Sequence, residues 1–177
     1  RVHGYQGDDL KAVDTVLATA KHFAAYGAAQ AGRDYHTVDI SERTLRDVYL
    51  PPFKAAVDEG VATFMTSFNE YDGVPASGSK FLLTDVLRDE WGFDGFVVTD
   101  YTSINEMVPH GYAKDLEQAG EQALNAGVDM DMQGAVFMEN MVKSVEEGRV
   151  SQANIDRAVR RVLEMKYRRG LVADPDR

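Results

Sequence analysis

Residues 81–100 read FLLTDVLRDEWGFDGFVVTD, and this stretch decides the fold class. The apolar spacing of its first half predicts an amphipathic helix over 80–91. Residues 92–95 (GFDG) are a predicted turn, because glycine and aspartate favour turn conformations. The apolar and β-branched residues 96–99 predict a short strand that is buried on both faces and ends at Asp100. A helix, a tight turn and a buried strand in this order are typical of parallel α/β folds.

The same alternation of amphipathic helices and apolar strands extends from this stretch in both directions. The further predicted elements are a helix that runs into a short strand within residues 7–20, strands over 62–68 and 128–132, and helices over 41–60, 115–125, 136–147 and 151–170. Pro51-Pro52 should kink or divide one helix, and Ser41 and Ser151 are predicted N-caps. Because short apolar strands alternate with helices, the sequence predicts a parallel sheet with helical crossovers.

Two architectures fit this alternation, a doubly wound parallel sheet and a (β/α)8 TIM barrel, and the pattern alone leaves both open. A closed eight-stranded barrel usually needs roughly 250 residues, whereas this chain has 177. If the α/β fold is TIM-barrel-like, we therefore expect about half of the barrel to be present in this chain.

Composition excludes several classes of protein. The formal net charge of -10 argues against a nucleic-acid partner, because phosphate binding needs a basic face. The absence of cysteine excludes disulfide scaffolds and cysteine-based zinc sites. No apolar run approaches the length of a membrane span, so we expect no membrane partner. His3, His36 and His110 lack metal-ligand spacing, and we expect no metal and no cofactor.

Polar residues follow three of the predicted strands at the point where each strand ends. Lys21-His22 follow the first strand, Ser67-Phe68-Asn69-Glu70 end the second, and Asp100 follows the third. Because the carboxyl ends of parallel strands meet at one edge of a sheet, these side chains should converge there. The sequence therefore predicts a functional site at this edge.

Each of these candidates has a functional and a structural interpretation. The Asp100 carboxylate could be a nucleophile, a general base or a metal ligand, or it could cap a helix. Lys21 and His22 could bind sugar hydroxyls, or they could be a surface lysine beside a core-facing histidine. Arg33 lies next to Asp34 in a glycine-rich loop, where it could clamp a substrate or form a surface ion pair.

Five sequence blocks together resemble glycoside hydrolase family 3, and they look most similar to its bacterial periplasmic β-glucosidases. The blocks are KHFAAYG (21–27), YLPPFK (49–54), MTSFN (65–69) with DGVPA (72–76), LLTDVLR (82–88) and EWGFDGFVVTD (90–100). The resemblance covers essentially the whole chain and implies a TIM barrel, of which residues 1–177 would be a partial domain, the C-terminal part. It also implies that the early barrel precedes this segment and that a second α/β domain follows it. That second domain would carry the general acid/base glutamate, so we expect the isolated chain to be inactive.

The resemblance further implies a reaction and a role for each candidate residue. Asp100 falls on the catalytic nucleophile of a retaining enzyme that hydrolyses terminal non-reducing β-D-glucosyl or related β-glycosyl residues. The implied substrate-binding residues are Lys21, His22, Arg33, Met65 and Tyr101. The implied substrates are β-linked oligosaccharides or aryl and alkyl β-glycosides, and the implied location is the periplasm or the outside of the cell.

Two departures from the family pattern bear on specificity. The family commonly has Ser-Asp-Trp where this chain has Thr99-Asp100-Tyr101, and many members have tyrosine where Phe68 stands. The loop after Lys21-His22 does not match the N-acetylglucosaminidase branch. The alternatives are β-xylosidase specificity, a non-catalytic carbohydrate-binding relative, and a barrel aldolase with Lys21 as its Schiff-base lysine.

Overall fold

The structure is a computed structural model, and it describes residues 1–176. These residues contain six strands: β1 (Thr19–Phe23), β2 (Thr37–Val38), β3 (Thr63–Thr66), β4 (Glu70–Tyr71), β5 (Val74–Pro75) and β6 (Phe96–Val98). The central sheet is parallel and has the order β1-β3-β6. Met130 adds one parallel bridge to Val98, at the position of the strand predicted over 128–132. The predicted α/β fold with a parallel sheet is therefore confirmed.

Helices connect these strands and cover the sheet. The α-helices are α1 (Val2–Gln6), α2 (Glu42–Thr44), α3 (Pro51–Asp58), α4 (Ser103–Glu106), α5 (Leu116–Ala126), α6 (Val136–Glu146) and α7 (Gln152–Arg169). Two π-helices span Leu45–Tyr49 and Phe81–Glu90, and three 3₁₀-helices span Tyr26–Ala28, Gln30–Gly32 and Ala76–Gly78. Within residues 1–176, no helix combines the length and the apolar character that a membrane crossing requires.

Side-chain caps define where several helices begin. The Ser41 and Ser151 hydroxyls accept hydrogen bonds from backbone N–H groups three residues later, as predicted, and Asp115 caps α5 in the same way. Pro51 opens α3 and separates it from the preceding helical turns, which confirms the predicted division. Gly170 ends α7 in the left-handed conformation, at a φ of 87°.

Aromatic side chains from the sheet and the helices form the centre of the core. Phe23 on β1 and Phe64 on β3 are fully buried, and their ring centroids lie 5.2 Å apart in an edge-on arrangement. Phe53 of α3 packs on Phe23 at 5.1 Å, and Phe93 of the turn before β6 packs on Phe64 at 4.9 Å. Each such ring contributes roughly 1.5–3 kcal/mol through burial. The core therefore fixes the sheet against its helices.

A buried ion cluster ties together the elements at the amino edge of the sheet, where the strands begin. Asp129 Oδ2 accepts hydrogen bonds of 2.8 Å from the Val97 backbone N–H and from Arg88, and Oδ1 accepts one of 2.9 Å from Arg161. Arg88 also donates to the carbonyls of Phe93 and Gly95. Burial lowers the pKa of Arg88 to about 10, so it stays charged at neutral pH.

The helix predicted at the start of residues 7–20 is wrong, whereas the strand predicted to follow it is present as β1. Residues 7–18 form turns and extended backbone that lead into β1. The Arg169 guanidinium at the end of α7 donates hydrogen bonds of 2.9–3.0 Å to three carbonyls of this segment, those of Leu10, Ala12 and Thr15. These carbonyls are therefore satisfied by a distant side chain and not by helical N–H groups.

The sequence did not predict a second, smaller sheet, which is formed by β2, β4 and β5. β2 pairs with β4 in parallel, and β4 pairs with β5 in a hairpin. The hairpin turn is Asp72-Gly73, and both residues have a positive φ, of 53° and 76°, as the tight turns that match strand twist require. Each of these strands has only two residues, too few to show a strand periodicity.

Candidate active site

Asp100 and His22 meet at the carboxyl edge of the central sheet, where its parallel strands end. Asp100 follows β6, and His22 lies near the end of β1. His22 Nε2 is 3.1 Å from Asp100 Oδ2, and the two side chains are 25% and 16% exposed. The predicted convergence of strand ends therefore brings together two of the candidate residues, from strands that are separated in the sheet by β3.

A backbone donor orients the Asp100 carboxylate. The backbone N–H of Tyr101 donates to Oδ1 at 2.7 Å, and His22 Nε2 lies 3.1 Å from Oδ2 as a close polar contact. The N-cap position of α4 belongs to Thr102, so Asp100 does not cap that helix. A carboxylate that is oriented in this way keeps free lone pairs on both oxygens, and it can attack an electrophilic carbon.

The imidazole of His22 has a lowered pKa in this pair. Burial is the largest cause that lowers the pKa of His22 below 6.5; the Asp100 charge opposes it, and the Lys21 charge adds to it. At neutral pH His22 therefore lies beside Asp100 without adding a positive charge.

Tyr26 supports His22 from the loop after β1. The two ring centroids lie 4.8 Å apart with a 30° tilt. A hydrogen bond to the Asp34 carboxylate is the main cause that raises the pKa of Tyr26 to about 12. Tyr26 was not among the predicted site residues, because its contact with the His22 ring cannot be read from the spacing of residues in the sequence.

Within residues 1–176, no hydrogen bond or ion pair joins the side chains of the other predicted substrate-binding residues to this pair. Lys21 and Arg33 are exposed, and within residues 1–176 neither forms an ion pair closer than 4 Å. Met65 is half-buried on β3 and pairs in register with Val98, two residues before Asp100. Tyr101 is 56% exposed. These four side chains are accessible or partly accessible to a ligand at the carboxyl edge.

The polar residues at the end of β3 turn towards the backbone. Ser67 Oγ and Asn69 Nδ2 both donate to the Ala24 carbonyl at 3.2 Å, and both side chains are buried. They hold the segment that follows His22 in place. The ring of Phe68 packs on the ring of Tyr35, and the two centroids lie 4.3 Å apart.

The chain matches one family of known proteins. The family described as "Glycosyl hydrolase family 3 N terminal domain" matches residues 1–165. The periplasmic β-glucosidase of Salmonella typhimurium is 45% identical over 161 residues, which are 91% of this chain and 21% of that protein. A β-xylosidase of Formosa agariphila is 39% identical, with coverage of 96% of this chain and 25% of the relative.

Solved structures agree with the sequence comparisons. The structure of the β-glucosidase from Listeria innocua in complex with glucose superposes with a TM-score of 0.96 at 42% identity, over 98% of this chain and 24% of that one. The chain thus spans about a fifth to a quarter of the length of these relatives. From its sequence match and from its structure, the chain belongs to the N-terminal domain family of glycosyl hydrolase family 3.

Proposed function

We propose that this chain is the nucleophile-bearing part of a retaining β-glycosidase that releases terminal non-reducing β-D-glucosyl residues. The observation that carries the proposal is the Asp100 carboxylate at the end of β6, oriented by the Tyr101 backbone N–H and 3.1 Å from His22 Nε2. The same chain is similar over 98% of its length to a β-glucosidase that was crystallised with glucose. The non-catalytic and aldolase alternatives lack an observation of this kind.

The reaction proceeds in two displacements. An Asp100 oxygen attacks the anomeric carbon, and the bond from that carbon to the leaving oxygen breaks while a second carboxyl group protonates the leaving oxygen. A covalent glycosyl–aspartate results, and water hydrolyses it with the second group acting as base. In retaining enzymes the two carboxyl groups lie about 5–5.5 Å apart. No residue of this chain is assigned the acid/base role.

The sugar is held by side chains around Asp100. Lys21, His22 and Arg33 supply donors for sugar hydroxyls, because ammonium, imidazole and guanidinium groups all donate hydrogen bonds. Met65 and Tyr101 provide apolar and aromatic contacts on either side of the nucleophile. These roles are supported by the accessible positions of the side chains at the carboxyl edge.

We also propose that the segment is about half of a TIM barrel. The parallel order β1-β3-β6, followed by the bridge at Met130, is the arrangement that consecutive barrel strands adopt. A groove of about 730 Å³ on α7 is lined by exposed apolar side chains, among them Leu163 and Tyr167. In a complete barrel such a face would be covered, and a further α/β domain would supply the acid/base.

We favour specificity for β-glucosides, and specificity for β-xylosides is the second candidate. A β-xylosidase at 39% identity supports the second, whereas the β-glucosidase at 45% identity supports the first. The ratio of kcat/KM for 4-nitrophenyl β-glucoside and β-xyloside decides between them. The name of the Salmonella relative supports a periplasmic location.

Covalent labelling tests the proposed function directly. The full-length protein would be treated with an activated 2-deoxy-2-fluoro-β-glucoside and digested, and the modified peptide would be identified by mass spectrometry. We expect the label on Asp100, because the fluorine slows hydrolysis of the covalent intermediate. A protein that turns over aryl β-glucosides but carries the label on another residue would contradict the assignment.

A further inference from the structure

We propose that three buried hydroxyls beneath the site, those of Thr66, Ser77 and Ser103, act as one positioning unit for the nucleophile. This inference rests on the proposed function of Asp100. None of the three residues contacts the Asp100 carboxylate, so each would act through the backbone that carries it. They come from β3, from the 3₁₀-helix Ala76–Gly78 and from α4.

The three hydroxyls form a closed triangle. Ser77 Oγ lies 2.7 Å from Thr66 Oγ1 and 2.7 Å from Ser103 Oγ, and the third side, between Thr66 and Ser103, is 3.4 Å. The residues are 0%, 1% and 3% exposed. Since each hydroxyl can donate once and accept twice, three of them can satisfy one another in a ring without water. Such mutual satisfaction is what burial of hydroxyls requires.

Ser103 links the triangle to the nucleophile. Its backbone N–H donates to the Asp100 carbonyl at 3.1 Å, which closes the turn that carries Asp100. Within this turn Thr102 has a left-handed φ of 58°, a conformation that costs free energy outside glycine. The triangle fixes the far end of the turn, because the Ser103 side chain cannot leave it without burying unpaired hydroxyls.

Thr66 links the triangle to the strand beneath the sugar. It follows Met65 directly and pairs in register with Phe23, the residue after His22. A single unit of three hydroxyls therefore connects the strand that bears Met65, the strand that bears His22 and the turn that bears Asp100. An apolar contact would allow these elements to slide, whereas hydrogen bonds define both distance and direction.

Thr63 provides a matched control on the same strand. It is 3% exposed, and its hydroxyl lies 2.6 Å from that of Thr19 and donates to the Ala18 carbonyl at 3.0 Å. Thr63 lies at the amino end of β3, and Thr66 lies at its carboxyl end. Thr63→Val and Thr66→Val therefore remove the same buried group from the two ends of one strand.

The experiment compares these two variants in the full-length protein. We expect both to lower the melting temperature by similar amounts, and only Thr66→Val to lower kcat, by about tenfold, with KM nearly unchanged. The rate of labelling by the fluoro-glucoside should fall by the same factor, and Thr66→Ser should restore it. Equal kcat values for the two valine variants, or an effect of Thr66→Val on KM alone, would overturn the inference.

Double variants test whether the hydroxyls act as one unit. In Thr66→Val with Ser103→Ala, the loss in kcat should be close to that of the larger single loss, because the unit is already broken. Losses that multiply would mean that the residues act independently, which contradicts the inference. If the wild-type protein is neither labelled nor active on aryl β-glucosides, the proposed function fails first.

Discussion

At the scale of single residues, Asp100 and His22 are the two predicted site residues that the fold brings into contact. One partner is a carboxylate that has a backbone donor on Oδ1, and the other is an imidazole whose pKa is lowered by burial. Asp100 and His22 could both be predicted from the sequence, because each follows or ends an apolar strand. Tyr26 and the three buried hydroxyls could not, because their partners are brought near only by the fold.

Replacing the nucleophile tests its role without changing its size. We expect Asp100→Asn to lower kcat of the full-length protein by at least about a thousandfold, because an amide cannot form the covalent intermediate. Asp94→Asn is the control, since Asp94 is an exposed carboxylate that pairs with Arg168. Steady-state kinetics on an aryl β-glucoside measures both. Activity of Asp100→Asn above a tenth of the wild type would contradict the assignment.

The lowered pKa of His22 predicts a pH dependence of stability. In the unfolded chain this histidine gains a proton near pH 6.5, whereas in the folded chain it does so only at lower pH. The unfolded state therefore binds more protons in this window, and the free energy of unfolding falls as pH falls below 6.5. His22→Gln should flatten that part of the curve, measured by urea unfolding between pH 5 and 7. An unaltered slope in His22→Gln would be inconsistent with this cause.

At the scale of elements, the amino edge of the sheet is held by charge and close packing. The Asp129 cluster joins the π-helix Phe81–Glu90, β6 and α7. Helices α5 to α7 could be predicted within a few residues from periodicity and caps. The helix within residues 7–20 could not be excluded, because Arg169, which binds the carbonyls there, is far away in the sequence.

Removing the buried arginine should cost far more than removing an exposed one. Arg88→Met leaves Asp129 buried with one fewer charge partner, and we expect a loss of about 3 kcal/mol in the free energy of unfolding. Arg46 pairs with Glu90 on the surface, and Arg46→Met should cost less than about 1 kcal/mol. Chemical denaturation measures both. Similar losses for the two variants would contradict the importance of burial.

The turn before β6 allows a second comparison. A Cβ added to Gly95 would lie 2.0 Å from the Ala62 carbonyl oxygen, so Gly95→Ala must push β6 away from its neighbour. Gly92 has open space around it, and its only obstacle is a positive φ of 71°. We expect losses of about 3 kcal/mol for Gly95→Ala and about 1 kcal/mol for Gly92→Ala. A milder effect at Gly95 than at Gly92 would contradict the packing of this turn.

At the scale of the whole molecule, the parallel sheet was predictable and its extent was not. Strand-and-helix alternation fits any parallel α/β fold, so the choice of a TIM barrel rested on family resemblance. The structure adds a physical observation, the exposed apolar stripe on α7. Val159, Leu163 and Tyr167 are between 51% and 67% exposed there. A stripe of this kind is typical of a surface that is covered in a larger assembly.

A charge on that stripe should make the isolated chain less prone to self-association, and it should make the full-length protein less stable. In the isolated 177-residue chain, Leu163→Lys should reduce self-association, measured by sedimentation velocity, because it breaks an exposed apolar patch. In the full-length protein the same change should lower the melting temperature, because the lysine would be buried. Gln152→Lys on the same helix is the control for both. A full-length protein that tolerates Leu163→Lys would argue against the half-barrel proposal.

The hydrogen bonds from Arg169 to residues 10–15 have a practical consequence for choosing the boundaries of an expressed segment. The family match ends at residue 165, four residues before the arginine. A polypeptide trimmed at that match would keep the carbonyls of Leu10, Ala12 and Thr15 but lose the side chain that binds them. Expression boundaries should therefore follow the hydrogen bonds and extend past Gly170, because the family match stops short of a side chain that binds residues 10–15.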